Sequence, residues 1–228
     1  MRLLIVGAMD SEIEFLKLNL VNIKEEEHSG FKFYLGSIND KEIILVKSGI
    51  GRVMAGLLIG VAFSNYQFDQ VINVGVAGGT KGTNLGDIIV GKNYVYGDVD
   101  LRSGGFGYDF GQMAGCPRIF KSIVSLDNLK EDNTFVYGDM CTCDSFTTSE
   151  SFVNEIKDVY FNDLDIKCFD MESTAFAQAC NVYEIPFLAI RSISDVIGTS
   201  FQSEDYQNNE QTSANKVNKF VIKLINEL

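Results

Sequence analysis

The segment LLIVGAMDSEIEFL, residues 3–16, passes from a short aliphatic run through Gly7 into a stretch whose apolar positions recur at helical spacing. An apolar run that ends on glycine reads as a strand. Ser11, with Glu14 three residues on, reads as a capping box opening a helix through Ile13, Phe15, Leu16 and Leu20. This strand, turn and helix set an α/β pattern that the rest of the chain repeats. Downstream, Phe31 to Ile38 and Lys41 to Lys47 read as a hairpin around Asn39-Asp40, and Val53 to Phe63 as a helix so apolar that it belongs in the core or at a subunit contact. Gln70 to Val74 reads as a strand entering Gly75-Val76-Ala77-Gly78-Gly79, followed by another strand from Leu85 to Val90.

The glycines and aromatics from Asp98 to Pro117 lack helical period and predict a long loop bordering the site. Phe135 to Met140, Lys167 to Met171 and Phe187 to Ile193 read as strands, and Ser173 to Asn181 as a helix. Ala214, Val217, Phe220, Val221, Leu224, Ile225 and Leu228 mark a closing amphipathic helix, with the polar stretch 198–211 expected to form a mobile loop or lid before it.

A chain of 228 residues with 46% hydrophobic content is long enough to bury one full α/β core, so residues 1–228 are read as a single domain. A formal charge of -12 repels phosphate backbones and anionic bilayers, which argues against nucleic-acid and membrane partners. The apolar N-terminal run is too short for a signal peptide, and the longest spanning candidate, Ile43 to Phe63, is broken by Lys47 and Arg52. Five cysteines, an odd number, suit a reducing cytoplasm better than a disulfide framework. His28 is the single histidine and Cys141-Thr142-Cys143 a lone C-x-C, so no metal is expected. Gly49-x-Gly51 resembles a dinucleotide loop, but Met54 occupies the third glycine position and a nicotinamide or flavin cofactor is not expected.

Three acids stand where strands hand over to loops or helices: Glu12, Glu172 and Asp195. Groups at the carboxyl ends of strands face the ligand crevice of α/β proteins. Each also has an ordinary reading. An acid in the first turn of a helix, as Glu12 is, gains about 0.3–1 kcal/mol from the helix dipole alone, and Arg191 offers Asp195 a local ion pair. The functional reading of Asp195 is a carboxyl whose burial lets it hold and deliver a proton near neutral pH. Placement of all three after separate strands favours chemistry.

Several short runs in one order then carry a resemblance: Gly7-Ala8-Met9-Asp10-Ser11-Glu12, Lys47-Ser48-Gly49-Ile50-Gly51-Arg52, Asn73 to Gly79, Gly86 to Val90, Phe106 to Pro117, Asp144-Ser145-Phe146, Met171-Glu172 and Arg191 to Val196. Over nearly its whole length the chain resembles the 5′-methylthioadenosine/S-adenosylhomocysteine nucleosidases. The resemblance implies a three-layer α/β/α fold with a central twisted mixed sheet, a cytoplasmic homodimer, a role in methionine salvage, and cofactor-free hydrolysis of the bond between adenine and a 5′-thio-substituted ribose.

By the same resemblance Asp195, held by Ser194, protonates adenine N7. Glu12 activates water, Glu172 binds the ribose hydroxyls and Arg191 orders the acids. Phe146 and the backbone near Thr147 meet the base. Met9, Ile50, Met171 and Phe201 or Tyr206 line the 5′ pocket, Val76, Ala77 and Gly78 border the ribose, and the loop holding Phe106, Tyr108 and Met113 closes the site from a partner subunit. The chain departs from the family at Val76, where Ser is usual, at Cys143 for Gly, and at Asp170 for Glu. The alternatives are a phosphate-dependent purine nucleoside phosphorylase, which Asp10 and Glu12 disfavour by repelling phosphate, and a nucleoside-binding protein of low activity.

Overall fold

The computed structural model describes residues 1–122 and 134–228. The chain runs β1 (Arg2–Gly7), α1 (Asp10–Leu18), β2 (Val21–His28), β3 (Phe31–Ile38), β4 (Lys41–Lys47), α2 (Arg52–Asn65), β5 (Gln70–Gly79) and β6 (Ile88–Tyr96). It continues through β7 (Phe120–Lys121), β8 (Val136–Thr142), α3 (Glu150–Glu155), β9 (Ile166–Asp170), α4 (Ser173–Val182), β10 (Phe187–Val196) and α5 (Gln202–Glu227). The helices lie on both faces of one mixed sheet, the α/β/α architecture expected from the sequence.

β1 is sandwiched between β4 and β5, parallel to both. Leu3, Leu4, Ile5 and Val6 are fully buried, which explains a continuous aliphatic run in place of alternation. Successive residues feed opposite layers. Ile5, Ile72 and Ile190 pack under α1 and α5 with Leu16, Val217 and Leu224. Val6, Val71 and Ala189 pack under α2 and α4 with Leu58, Ile59 and Phe176.

Sequence pattern does not foretell the closure of half the sheet. β5 pairs in parallel with β10 and antiparallel with β9, while β10, β6, β8 and β9 join in turn, so five strands close into a ring with β5 at the junction. β2 pairs antiparallel with β3 at the other end of the sheet and is exposed along nearly all its length. In its sequence, VNIKEEEH, apolar alternation stops after Ile23, in keeping with a strand exposed at every position but His28. The β3–β4 hairpin forms as expected, with φ of +47° at Asn39 and +63° at Asp40, the left-handed pair of a type I′ turn.

Two expectations need correction. The helix starts two residues earlier than Ser11-Glu14 implies and carries only the carboxylate half of a capping box: Met9 is the N-cap of α1 without a side-chain cap bond, and Glu12, at the third helical position, accepts its N–H at 3.1 Å. Ser11 instead donates its hydroxyl to Glu210. Residues 202–211, expected in a loop or lid, are the first turns of α5. Their polarity reflects a helix whose outer face meets solvent, while Ser11–Glu210 and Tyr206–Met9 contacts tie its inner face to α1. The apolar α2 divides its surface, with Ala55, Leu58, Ile59 and Ala62 buried and Val53 and Leu57 exposed.

Leu224, buried between α5 and the sheet, tests how far the terminal helix supports the fold. Leu224→Ala should lower unfolding free energy by about 2–5 kcal/mol, read as a fall in the urea midpoint at unchanged m-value.

Candidate active site

A cleft opens at the carboxyl ends of β1, β5, β8, β9 and β10. Its wall brings together Glu12, Glu172 and Asp195, contributed by three separate strand ends. Each owes its position to a distinct local device.

Glu12 is placed by α1. Its Oε2 accepts the N–H groups of Ala8 and Met9 at 2.6 and 3.1 Å, and its Oε1 accepts the Val76 N–H at 2.9 Å. The ordinary and functional readings of this acid therefore coincide, since the carboxylate that caps the helix also faces the cleft. A Cβ on Gly75 would stand 2.4 Å from Glu12 Oε1, so only glycine lets β5 pass beneath the carboxylate. Burial raises the Glu12 pKa, while Arg191 and the three backbone donors pull it back without cancelling the rise. The Val76 side chain lines the cleft and offers no donor, but its N–H is enough to hold Glu12.

Glu172 is the N-cap of α4, and its Oε1 accepts the Gly51 N–H at 2.8 Å. This contact explains Gly49-Ile50-Gly51: Gly51 has φ of +95°, and the turn aims an amide at the acid. Burial, then the nearby charge of Asp170, push Glu172 up to about 8 against the pull of Arg191.

Arg191 lies one layer behind the wall. It pairs with Asp170 at 2.8 Å, not with Asp195, and donates to both the side chain and the carbonyl of Asn73. Burial disfavours its charge, but Asp170, Glu12 and Glu172 outweigh that and raise its pKa. Asp170 also accepts the Thr142 hydroxyl at 2.6 Å and the Ser173 N–H at 3.3 Å. The sequence marked Asp170 only as a departure from the family and Asn73 only as the start of a matching run, with no role given to either. Asp170 in the run FDME was the visible signal, whereas a buried asparagine within a strand leaves none.

Asp195 sits at a bulge. Ile193 and Asp195 oppose the consecutive residues Ala77 and Gly78, leaving Ser194 as the extra residue of β10, a distortion that redirects side chains beside active sites. Ser194 Oγ donates to Asp195 Oδ1 at 2.6 Å and Gln202 Nε2 to Oδ2 at 2.8 Å. Burial raises the Asp195 pKa against these two hydrogen bonds.

The remaining wall is largely apolar. Phe146 and Tyr206 meet edge to face with centroids 5.3 Å apart, and the Tyr206 hydroxyl lies 3.8 Å from Met9 Sδ. Ile50, Met171 and Thr147 also line the cleft, with Ala77 and Gly78. Of the two aromatics anticipated beyond Asp195, Tyr206 lines the cleft. Phe201 does not: it is the residue before α5 and is 64% exposed, because the helix starts earlier than its polar sequence suggests. Tyr108 lies outside the cleft wall of this chain. Asp170 and Ser145, the latter within the run Asp144-Ser145-Phe146, also line the wall, as do Phe169 and Ile197, which carry no distinguishing sequence signal.

Comparison with known proteins agrees with this geometry. Residues 2–226 match the model of the phosphorylase superfamily. A 5′-methylthioadenosine/S-adenosylhomocysteine nucleosidase of Bacillus thuringiensis (strain Al Hakam) is 34% identical over 236 aligned positions, covering 100% of both chains. Among solved structures, the nucleosidase of Colwellia psychrerythraea 34H in complex with adenine superposes with a TM-score of 0.91 at 32% identity, covering 100% of this chain and 96% of that one. The Neisseria meningitidis enzyme in complex with methylthio-immucillin-A gives 0.90 at 30% identity, covering 100% and 99%. With its acids converging on one cleft and its whole length matched, the chain belongs to the 5′-methylthioadenosine/S-adenosylhomocysteine nucleosidase family.

Proposed function

We propose that this protein hydrolyses the N-glycosidic bond of a 5′-thio-substituted adenine nucleoside, 5′-methylthioadenosine, S-adenosylhomocysteine or a close analogue, and releases adenine. The observation that carries the reading is the pair Glu12 and Asp195 on one cleft. Both carboxyls line it beside β5, Glu12 against Gly75 and Asp195 against Gly78, and in this reading the base meets Asp195 while the ribose and an attacking water meet Glu12.

Asp195 delivers its proton to purine N7, so adenine departs neutral as the C1′–N9 bond breaks. Glu12 takes a proton from water, which adds to the oxocarbenium-like C1′. Proton exchange with solvent resets both groups. Glu172 faces the ribose hydroxyls, and Arg191 sets the field in which Glu12 and Glu172 titrate. Phe146 with Thr147 lies against the base, Val76, Ala77 and Gly78 against the ribose, and Met9, Ile50, Met171 and Tyr206 take the thio substituent.

A second copy of the chain is the proposed cover for α2, where Val53 is 73% and Leu57 55% exposed. Tyr108 of that copy would close the cleft. Free thiols at all five cysteines support a cytoplasmic setting.

Water is favoured over phosphate as nucleophile because the described residues of the cleft wall include four acids, Glu12, Asp170, Glu172 and Asp195, and no lysine or arginine, while Arg191 is engaged by Asp170. Adenine release from methylthioadenosine should proceed at the same rate with and without phosphate and yield free ribosyl product. A strict phosphate requirement, with ribose 1-phosphate formed, would refute hydrolysis.

Glu12→Gln and Asp195→Asn should each lower kcat about 10²–10⁴-fold, the usual worth of a general acid or base, while an unreactive nucleoside analogue still binds. Retention of wild-type turnover in either variant contradicts the assigned role.

Glu172 gives a stability test with a defined sign. Its folded pKa of about 8 lies above its ordinary 4.5, so between those values the folded state holds a proton that the unfolded state has released. The stabilisation is complete below the lower value and is lost as pH rises through the upper one. Glu172→Gln removes that slope. Relative to wild type it should gain at least about 1.4 kcal/mol, one pKa unit's worth, between about pH 5 and about pH 8.5 in urea titrations.

A further inference from the structure

The first turn of α5 carries a glutamine that touches two parts of the cleft at once. Gln202 is 5% exposed, and every hydrogen-bonding position of its amide that the fold can reach is used. Nε2 donates to Asp195 Oδ2 and to the Thr147 carbonyl, each at 2.8 Å, and Oε1 accepts the Gly198 N–H at 3.1 Å. The Gly198 donor decides which way the amide faces, because only an oxygen can receive it, so the NH₂ must point at the acid and the loop. Gly198 has φ of +83°, and a Cβ there would lie 2.7 Å from Glu150 Cβ. Glycine is what permits this turn to present its N–H.

We propose that Gln202 is a positioning residue for the reaction, tying the proton donor Asp195 to the loop that sets Phe146 and Thr147 against the base. The proposal rests on the adenine-nucleoside reading of the cleft. With Ser194 on one carboxyl oxygen and Gln202 on the other, the plane of the Asp195 carboxyl is fixed before substrate arrives. The same amide holds the Thr147 carbonyl, so the acid and the base-facing loop share one rigid reference. Preorganisation of this kind lowers the cost of reaching the reactive geometry.

Gln202 also acts on acid strength. Donation to a carboxylate favours its charged form, and it joins Ser194 in opposing burial, while Asp205 in the same turn of α5 acts in the other direction. Tyr206 from α5 also feels the charge of Asp195, Glu12 and Glu172, β5 presents uncharged Gly78 beside Oδ2, and the 145–147 loop presents the Thr147 carbonyl to Gln202. Removing the Gln202 donor therefore moves the Asp195 titration upward.

The test compares wild type, Gln202→Met, which keeps the volume and loses the donors, and Gln202→Glu, which keeps the shape and sets a carboxylate against Asp195. Adenine release is followed as kcat, KM and the pH profile of kcat/KM, and the Asp195 carboxyl is titrated by carbon-13 NMR, assigned with Asp195→Asn. In Gln202→Met, kcat should fall about tenfold with KM changed less than about threefold. The alkaline limb and the Asp195 resonance should both move up by about one pH unit, and further in Gln202→Glu. Should one variant fail to fold, the other carries the comparison. Wild-type protein that releases no adenine overturns the nucleoside reading and the proposal together. Active wild type, with neither limb nor resonance moved in the variants, overturns the proposal alone, since a merely structural glutamine would change thermal stability without touching either.

Discussion

Arg191 lies fully buried within the reach of Asp170, Glu12 and Glu172, paired to the first at 2.8 Å. Removing one member of such a pair leaves an uncompensated charge out of water, which costs about 3–5 kcal/mol. The pair also knits the sheet beneath the cleft. Asp170 ends β9 and reaches Thr142 of β8 and Ser173 of α4. Asn73 of β5 links Arg191 of β10 to the Val6 carbonyl of β1. One guanidinium cannot neutralise three acids, and burial with the nearby charge of Asp170 pushes Glu172 up to about 8 against the pull of Arg191. The chemistry of the cleft begins with that imbalance.

How the three acids differ follows from what holds them. Glu12 is fixed by three backbone N–H groups, which no side-chain substitution other than its own removes. Asp195 is fixed by two side chains, Ser194 and Gln202, so its strength is open to adjustment by sequence. In the proposed reaction, fixed amide dipoles would serve the base that must be ionised, and tunable ones the acid that must give up a proton.

Much of this was legible in the residues. Gly7, the aliphatic β1, the Asn39-Asp40 turn and the apolar α2 announce their conformations locally, and acids at strand ends mark a cleft because the parallel sheet aims them there. The rest depended on contacts distant in sequence. The start of α5 was hidden because Gln202, Tyr206 and Glu210 face α1 and the cleft, partners that lie 7 to 199 residues away. The two-residue shift of the helix start turned on whether Glu12 or Glu14 folds back, and Glu12 is held there by the Val76 N–H on its other oxygen, from 64 residues away. β2 is held by pairing with β3, by the Glu25–Lys17 ion pair and by the Tyr66 hydroxyl on Glu26, contacts that an acidic run does not announce as a strand.

The ring of β5, β10, β6, β8 and β9 leaves β2 as the long outer strand of the sheet. An uncovered strand border invites another chain to add to it. Here a register shift near Val21 and the consecutive Glu25, Glu26 and Glu27 stand along that border. Stacking a second copy there would set like charges side by side, so protection against fibre-like association rests on electrostatic repulsion. Such a guard weakens as ionic strength rises, since added salt shortens its range to about 10 Å at 0.1 M.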